Sequence, residues 1–358
     1  MAVTRRNQNK KTGAGHPGSR DKAKQTGKRY GANAGGQKRR PEPEQRSHRP
    51  RKSVDKSSEP VITPENQPDI ANIQWFPGHM ARTRRKIKES LPLIDAVVEI
   101  VDARIPLASR NPELDSLTGR KPRLVILNKA DLADEAATRR WIAYFRSRGL
   151  AALAVDCKSG RGCNQFQPAL RELLHDLLEK WESKGANRTI RAMVVGIPNV
   201  GKSSFINRMN RGGKAKVEDR PGVTRMNQWF VTEDGTQLLD TPGVLWPKFE
   251  DQNVAMRLAF TGAIKDQVLN LEEMACELLS ILRADYTPLL TERYKLTPPL
   301  TEDSWILLQE IGRRRGMLVS GGEVDTERAA ITVLDEYRGG KLGRITLEWP
   351  DKEGDSHG

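Results

Sequence analysis

The sequence contains few cysteines and no long apolar run. Its 358 residues include only three cysteines, Cys157, Cys163 and Cys276. Their number is odd and no cysteine or histidine pairing has the spacing of a zinc site, so we expect reduced thiols. No window approaches the roughly 18 consecutive apolar residues of a membrane helix, and the N-terminus lacks the apolar core of a signal peptide. These absences predict a cytoplasmic protein that does not enter the membrane.

Large apolar side chains are nearly absent from the first 70 residues. This segment holds 17 lysines and arginines against 7 acidic residues, a net +10 of the +14 carried by the whole chain. It cannot bury enough surface to offset the entropy of ordering, so we predict a disordered basic arm over 1–70. Two interpretations stay open, a solubilising tail and an arm that binds a polyanion such as RNA. A mitochondrial presequence competes because residues 1–20 contain no acid, but they lack apolar residues at helical spacing.

The rest of the chain alternates apolar strands with amphipathic helices. Buried-strand runs end at Val101, Leu127 and Val195, and each is followed by a polar loop. This alternation predicts a doubly wound, mostly parallel α/β sheet with ligands at the carboxyl ends of its strands. After about Pro247 the strand runs stop and helical spacing takes over. The predicted organisation is the basic arm, a nucleotide-binding domain over 71–248, an all-α domain over 249–349 and a tail over 350–358.

A phosphate-binding loop follows the strand that ends at Val195. Residues 196–203, Gly-Ile-Pro-Asn-Val-Gly-Lys-Ser, match the pattern G-x-x-x-x-G-K-[ST] between a strand and a helix. Glycines let backbone amides surround a phosphate, Lys202 reaches the β and γ oxygens as a catalytic residue, and the Ser203 hydroxyl binds Mg²⁺. The predicted phosphate contacts are Asn199, Val200, Gly201, Lys202, Ser203 and Ser204.

Two further segments complete the predicted phosphate site. Asp240-Thr241-Pro242-Gly243 closes a later strand, where an aspartate holds the metal through water and the Gly243 amide lies near the γ-phosphate. Between the two motifs lies a glycine- and proline-containing loop that ends in Thr224. We predict that Thr224 covers Mg²⁺ and the γ-phosphate as a catalytic residue, the alternative being a capping or turn threonine. The predicted metal ligands are Ser203, Thr224 and Asp240.

The base is predicted to be guanine. Residues 128–131, Asn-Lys-Ala-Asp, end a strand, and the Asp131 carboxylate can accept from both N1–H and the 2-amino group of guanine. Adenine would leave that desolvated charge unpaired. After the next strand, Asp156 and Cys157 begin a loop that matches the position of the loop contacting guanine O6 in GTPases. Cys157 stands where those proteins usually have alanine. The predicted base contacts are Asn128, Lys129, Ala130, Asp131, Asp156 and Cys157.

The motif order, with the base loop ahead of the phosphate loop, resembles that of circularly permuted GTPases. More narrowly, residues 74–349 resemble the ribosome biogenesis GTPase A family. The resemblance implies a monomeric P-loop GTPase that uses GTP, GDP and Mg²⁺. It implies a role late in the assembly of the large (50S) ribosomal subunit, with binding to rRNA and the subunit precursor in the GTP state and release after ribosome-stimulated hydrolysis. Besides the GTPase motifs, the segments that carry it are 74–80 (Gln-Trp-Phe-Pro-Gly-His-Met), 101–106, 110–112, 321–325 and 339–344.

The resemblance also suggests roles for residues outside the common motifs. Val244 stands where many GTPases place a water-orienting glutamine, which valine cannot replace. The resemblance favours His79 for that catalytic task, against a structural loop histidine, and Asn199 resembles the asparagine of potassium-activated GTPases. It also favours an rRNA-contacting surface over a merely solvated basic face. That surface would consist of Arg313, Arg314, Arg315, Arg338, Lys341 and Arg344.

Three functions remain to be distinguished at this stage. The leading one is an RNA-coupled assembly GTPase that docks on an immature large subunit. The second is a signalling or trafficking switch recognised by protein effectors, for which the basic surface would be incidental. The third is a passive rRNA-binding scaffold with negligible hydrolysis, which would agree with Val244.

Overall fold

The structure, a computed structural model, describes residues 77–210, 228–243 and 251–350. All of them fall within one compact unit of the chain. The predicted basic arm, the end of the tail and the predicted domain boundary at 248/249 lie outside the described residues, as do Thr224 and Val244.

A six-stranded sheet forms the centre of the fold. Its strands are β1 (Ala96–Asp102), β2 (Arg123–Asn128), β3 (Ala151–Ala154), β4 (Arg191–Val195), β5 (Gln228–Val231) and β6 (Gln237–Asp240). Their spatial order is β3-β2-β1-β4-β6-β5. All neighbours are parallel except β5 and β6. The predicted mostly parallel α/β sheet is confirmed.

The register of the sheet brings the motif loops to one edge. Every residue of β1 and β2 is buried, which explains why both strands are mostly apolar in the sequence. Asp102 at the end of β1 lies opposite Asn128 at the end of β2. Because parallel strands end at the same edge, the loops after β1, β2 and β4 emerge side by side.

Six α-helices accompany the strands within the described residues 77–210. They are α1 (Pro77–Ser90), α2 (Glu113–Thr118), α3 (Glu135–Ser147), α4 (Phe166–Leu173), α5 (His175–Glu182) and α6 (Lys202–Met209). One face of the sheet packs on α4 and α6, where Phe166 meets Phe205 edge to face. The opposite face packs on α1, α2 and α3. Apolar residues continue at helical spacing over 167–184, which favours one helix, but the backbone leaves the helix at Leu174 (φ −102°, ψ 13°) and two helices result.

Five α-helices follow in the described C-terminal residues, 251–350. They are α7 (Gln252–Phe260), α8 (Leu271–Asp285), α9 (Thr287–Tyr294), α10 (Ser304–Arg314) and α11 (Thr326–Arg338). Four of them begin at an Asp or Asn whose side chain accepts from a backbone N–H of the first turn. Their apolar side chains join the same core as the α4 and α6 face of the sheet. No helix in the described part of the chain is long and apolar enough to cross a membrane.

One charged residue interrupts the apolar run of β1. The Glu99 side chain is only 1% exposed, and its carboxylate accepts from Arg110 Nε and Nη2, both at 3.1 Å. Arg123 Nη1 approaches the same carboxylate at 3.4 Å. A buried charge is tolerated when it is paired and hydrogen-bonded, so Glu99 fastens the loop after β1 and the start of β2 to the sheet.

Removing the Glu99 carboxylate should destabilise the fold strongly. We expect Glu99→Ala to lower the free energy of unfolding by roughly 3–5 kcal/mol, because it leaves two arginines without their buried counter-charge. The matched control is Glu89→Ala, which breaks a pair with Arg85 whose side chains are 65% and 73% exposed; its expected cost is about 0.5 kcal/mol or less. Urea unfolding of both variants provides the measurement. Equal losses would contradict the role given to burial.

Candidate functional site

The loop over 196–203 leaves β4 and turns directly into α6. Gly201 caps that helix with φ +96°, a left-handed conformation that favours glycine. Lys202 is buried in the first turn, and its Nζ donates to Ile197 O at 2.7 Å within the same loop. Ser203 and Ser204 are exposed beside it. The loop thus presents a helix N-terminus, an ammonium group and two hydroxyls to one side, which suits an anion.

A cleft of about 510 Å³ lies against this loop, within the range of roughly 300–1,000 Å³ found for small-molecule sites. Its lining combines the phosphate-loop motif with the Asp-Thr-Pro-Gly motif: Pro198, Asn199, Lys202, Ser203, Asp240, Thr241, Pro242 and Gly243. Thr241 Oγ1 donates to Val194 O at 2.7 Å and so holds the second motif on β4. A Cβ atom on Gly243 would crowd Lys202 Nζ, because the backbone passes directly over the lysine. The structure therefore joins two motifs that are separate in the sequence.

Lys202 and Asp240 carry opposite charges in this cleft. Burial lowers the pKa of Lys202 to about 8, although attraction to Asp240 opposes the shift. Burial also raises the pKa of Asp240, with Lys202 acting in the opposite direction. Both charged forms are therefore poorly solvated. A phosphate would stabilise the ammonium, and a cation held by the Asp240 carboxylate and the Ser203 hydroxyl would stabilise the carboxylate, so this donor set fits Mg²⁺ with a phosphate.

Asn128 links the base motif to the phosphate loop. Its Nδ2 donates to Val200 O at 2.7 Å, and its Oδ1 accepts from Cys157 N at 3.3 Å. The next residue, Lys129, has φ +60° and begins the turn that carries the half-buried Asp131. One amide side chain thus connects the three segments that the sequence analysis assigned to base and phosphates.

The loop that was predicted to contact guanine O6 is shaped by Asp156. Its Oδ1 accepts from Lys158 N at 2.8 Å and from Ser159 N at 3.2 Å. Burial acts to raise the pKa of Asp156, but the hydrogen bonds from Ser159 and Lys158 outweigh it and lower the pKa. The carboxylate therefore holds the turn, and the buried Cys157 takes part through its backbone amide.

A buried ion pair behind the base motif was not predicted from the sequence. Arg104 donates to Asp102 through Nε at 2.9 Å and Nη2 at 2.8 Å, and Lys129 Nζ lies 2.9 Å from Asp102 Oδ2. Burial opposes ionisation of Asp102, but Arg104 and Lys129 outweigh it and hold its pKa well below the usual range. An aspartate at the end of an apolar strand with an arginine two residues later was the available signal. In the sequence, residues 101–106 supported only the resemblance to the GTPase family.

Comparisons with known proteins agree with this geometry. Residues 191–300 match a family model described as 50S ribosome-binding GTPase. Ribosome biogenesis GTPase A of Bacillus cereus is 49% identical over 284 residues, which cover 79% of this chain and 96% of that protein. The chain belongs to the ribosome biogenesis GTPase A family. The predicted family and P-loop GTPase fold are confirmed, and the chain is a GTP hydrolase that binds GTP and GDP.

More distant relatives share the same architecture. Mitochondrial ribosome-associated GTPase 1 of Mus musculus is 35% identical over 299 residues, covering 78% of this chain and 90% of that protein. The GDP-bound structure of YlqF from T. maritima is 28% identical, with a TM-score of 0.54, and the match covers 75% of this chain and 100% of that chain. These matches include the C-terminal helices as well as the sheet, since neither part alone has that length.

The family resemblance gave roles to Asn199 and His79, and the structure describes the side chain of Asn199 only. Asn199 is exposed on the phosphate loop with φ +62°, and its Nδ2 donates to Gly262 O just after α7. His79 lies in the first turn of α1 rather than in a loop, because proline is well tolerated at a helix start and Pro77 begins this one. The His79 side chain, like Thr224 and Val244, lies outside the described residues.

The six basic residues that the sequence analysis assigned to RNA fall into two groups. Arg313, Arg314 and Lys341 are exposed on α10 and in the turn after α11. Arg313 and Arg314 also contact Gln309 and Glu310 one turn earlier in α10, at 3.5 and 3.4 Å, and Arg315 and Arg344 are exposed too. What distinguishes the other three residues is that their guanidinium groups contact a different part of the chain. These contacts are Arg315 with Glu336 at 3.0 Å, Arg338 with Asp266 at 2.7 Å, and Arg344 with Ala133 O at 2.9 Å.

The close approach of Gly201 to Asn128 generates a test of this GTPase site. A Cβ atom on Gly201 would overlap Asn128 Nδ2, so we expect Gly201→Ala to separate the base loop from the phosphate loop and to weaken GDP binding at least 100-fold. The control is Gly149→Ala, because Gly149 also has positive φ (+74°) but no atom within 4 Å of an added Cβ. That variant should lose about 1 kcal/mol of stability and keep its GDP affinity. Titration with fluorescent GDP measures both, and normal affinity in Gly201→Ala would contradict the contact.

Proposed function

We propose that this GTPase acts late in the assembly of the large ribosomal subunit. It binds the rRNA of a subunit precursor in the GTP state, the particle stimulates hydrolysis, and the GDP form leaves. The observation that carries this proposal is the contact between the phosphate loop and the C-terminal helices, in which Asn199 donates to Gly262 O. A helical part that touches the phosphate loop can respond to the nucleotide state without a long relay.

Within the site, we assign each predicted group a task in hydrolysis. Lys202 neutralises charge on the β and γ oxygens, and the amides of residues 199–204 together with that of Gly243 orient the phosphates. Ser203, Asp240 and Thr224 would hold Mg²⁺, which would supply charge stabilisation to the transferred phosphoryl group. The base is read by Asp131 with Asn128, Lys129, Ala130 and the loop that starts at Asp156 and Cys157.

Water activation is assigned to His79, because the valine at position 244 cannot accept a hydrogen bond from water. Asn199 is assigned to a potassium ion that adds positive charge beside the phosphates. In support of this assignment, the Asn199 Nδ2 donates to Gly262 O, which leaves its Oδ1 as the atom suited to a cation.

The RNA-contacting surface is assigned to the C-terminal helices. Arg313, Arg314 and Lys341 are exposed there and can reach phosphates directly. Arg315, Arg338 and Arg344 would add positive potential to the same surface from their paired positions. We further propose a cytoplasmic location, because the bacterial relative is more similar to the chain (49% identity) than the mitochondrial one (35%). We also propose that the protein is a monomer when it is not bound to the ribosome.

Association with ribosomal subunits tests this function. We expect the full chain to co-sediment with large-subunit precursors in sucrose gradients with a nonhydrolysable GTP analogue, and to be released with GDP. The double variant Arg313→Glu/Arg314→Glu should weaken association at least tenfold and make its loss with salt shallower, because two cation–phosphate contacts that release counterions are removed. Its matched control is Glu302→Gln/Glu327→Gln, which alters two exposed acids just before α10 and on α11 and should not weaken binding.

Sucrose-gradient association, together with GTP turnover measured with added large subunits, separates the competing functions. A signalling switch recognised by protein effectors would co-sediment with neither subunit in any nucleotide state. A passive scaffold would bind the large subunit, but added subunits would leave its GTP turnover unchanged. Either result would reject the proposed cycle.

GTP turnover tests the roles assigned to His79 and Asn199, and a comparison of potassium with sodium is needed for Asn199. With saturating large subunits, His79→Ala should lower kcat at least tenfold and leave GDP affinity unchanged, because it removes only the water-orienting group. The wild type should turn over faster in potassium than in sodium, and Asn199→Ala should remove that difference. A normal kcat in His79→Ala, or equal wild-type rates in the two salts, would reject the corresponding role.

A further inference from the structure

The segment after α11, residues 339–348, runs along the loop that carries the base motif. Ile345 N donates to Leu132 O at 2.9 Å, and Asp134 N donates to Thr346 Oγ1 at 3.0 Å. At Gly340, where φ is +71°, an added Cβ would overlap the Leu132 side chain. The C-terminal segment and the base loop are thus in direct contact across more than 200 residues of sequence.

Arg344 makes the most specific of these contacts. Its Nη2 donates to Ala130 O at 3.1 Å and its Nε donates to Ala133 O at 2.9 Å. Its Nη1 also lies 3.3 Å from Glu135 Oε2. Ala130 and Ala133 flank Asp131 and Leu132, so one planar guanidinium group bridges both ends of the turn that presents the Asp131 carboxylate.

The opposite side of the same turn is held by the buried ion pair. Lys129 is anchored on Asp102, and Asp102 is held by Arg104. Arg104 Nη1 lies 3.3 Å from Tyr337 O at the end of α11. The end of α11 and the segment that follows it therefore support the base loop at two points, on either side of Asp131.

We propose that Arg344 is a positioning residue for guanine recognition. It fixes the backbone on both sides of Asp131, so that the carboxylate meets the N1–H and the 2-amino group of guanine together. This proposal rests on the proposed role of Asp131. A guanidinium fork can bridge two carbonyl oxygens that a lysine ammonium reaches one at a time, which explains the choice of arginine.

The arrangement has a consequence for coupling between sites. A partner that binds the C-terminal segment and displaces Arg344 would weaken guanine-nucleotide affinity, and by reciprocity the bound base would oppose that displacement. This coupling would connect the C-terminal segment to the base loop. It is separate from the contact between Asn199 and Gly262 O, which connects the C-terminal helices to the phosphate loop.

The test compares GDP with inosine diphosphate, which lacks the 2-amino group. In the full chain, Arg344→Ala should reduce the ratio of GDP to inosine diphosphate affinity about tenfold, since the second hydrogen bond to Asp131 depends on its position. Arg344→Lys should lie between Arg344→Ala and wild type. KM for GTP should rise by a larger factor than the factor by which kcat falls. Competition against fluorescent GDP gives the affinities.

The control is Arg328→Ala, which removes the same charge from an exposed position on α11. It should leave the affinity ratio unchanged, whereas a general loss of stability or of positive potential would affect both variants. An unchanged ratio in Arg344→Ala overturns the proposal, and so does an equal reduction in Arg328→Ala. If Arg344→Ala does not fold, a wild-type ratio in Arg344→Lys overturns it.

A further variant separates this proposal from the assignment of Asp131. Asp131→Asn should shift preference from GDP toward xanthosine diphosphate, because an amide can donate to the 2-oxo group of xanthine. No shift in Asp131→Asn would reject the base-reading role itself. A shift in Asp131→Asn with an unchanged ratio in Arg344→Ala would reject only the positioning role.

Discussion

The Asn128 side chain is the point at which the nucleotide site is held together. It donates to Val200 O in the phosphate loop at 2.7 Å, and it accepts from Cys157 N in the loop that begins at Asp156. The approach is close enough that only glycine fits at position 201. Because each loop is anchored on its own strand, this single amide sets the distance between the part that meets phosphates and the part that meets the base.

This constraint explains why a permuted chain order is compatible with the family's site. The strand order β3-β2-β1-β4-β6-β5 places the phosphate-loop strand β4 between β1 and β6, and parallel pairing brings the motif loops to one edge. Asn128 needs Val200 nearby in space, whichever of them comes first in the chain. With the base motif first, the chain leaves the sheet after β6 and continues into α7 to α11. The C-terminal helices then contact both halves of the site, at Asn199 and at the base loop.

Most strands and the longer helices could be predicted because their signals are local and periodic. The apolar runs of β1, β2 and β4 are buried-strand signals, and α8, α10 and α11 follow helical spacing from a capping Asp or Asn. The helices α1 and α9 have weaker sequence signals, since α1 begins at a Pro-Gly pair that favours a turn and α9 has only eight residues. The break at Leu174 has no signal of this kind, because apolar spacing continues across it from α4 to α5.

The sequence by itself determined the chemistry of the site. The phosphate-loop pattern, the carboxylate at Asp131 that we propose reads guanine, and the family are all carried by residues adjacent in the chain, where spacing dictates geometry. Only the tertiary structure decided the partners of the charged side chains. Arg344 reads in the sequence as one more basic residue near a glycine turn, yet its guanidinium lies on carbonyl oxygens more than 200 residues away. A hydrogen-bond partner is set by distance in space, and sequence spacing carries no information on that distance once the chain has folded back on itself.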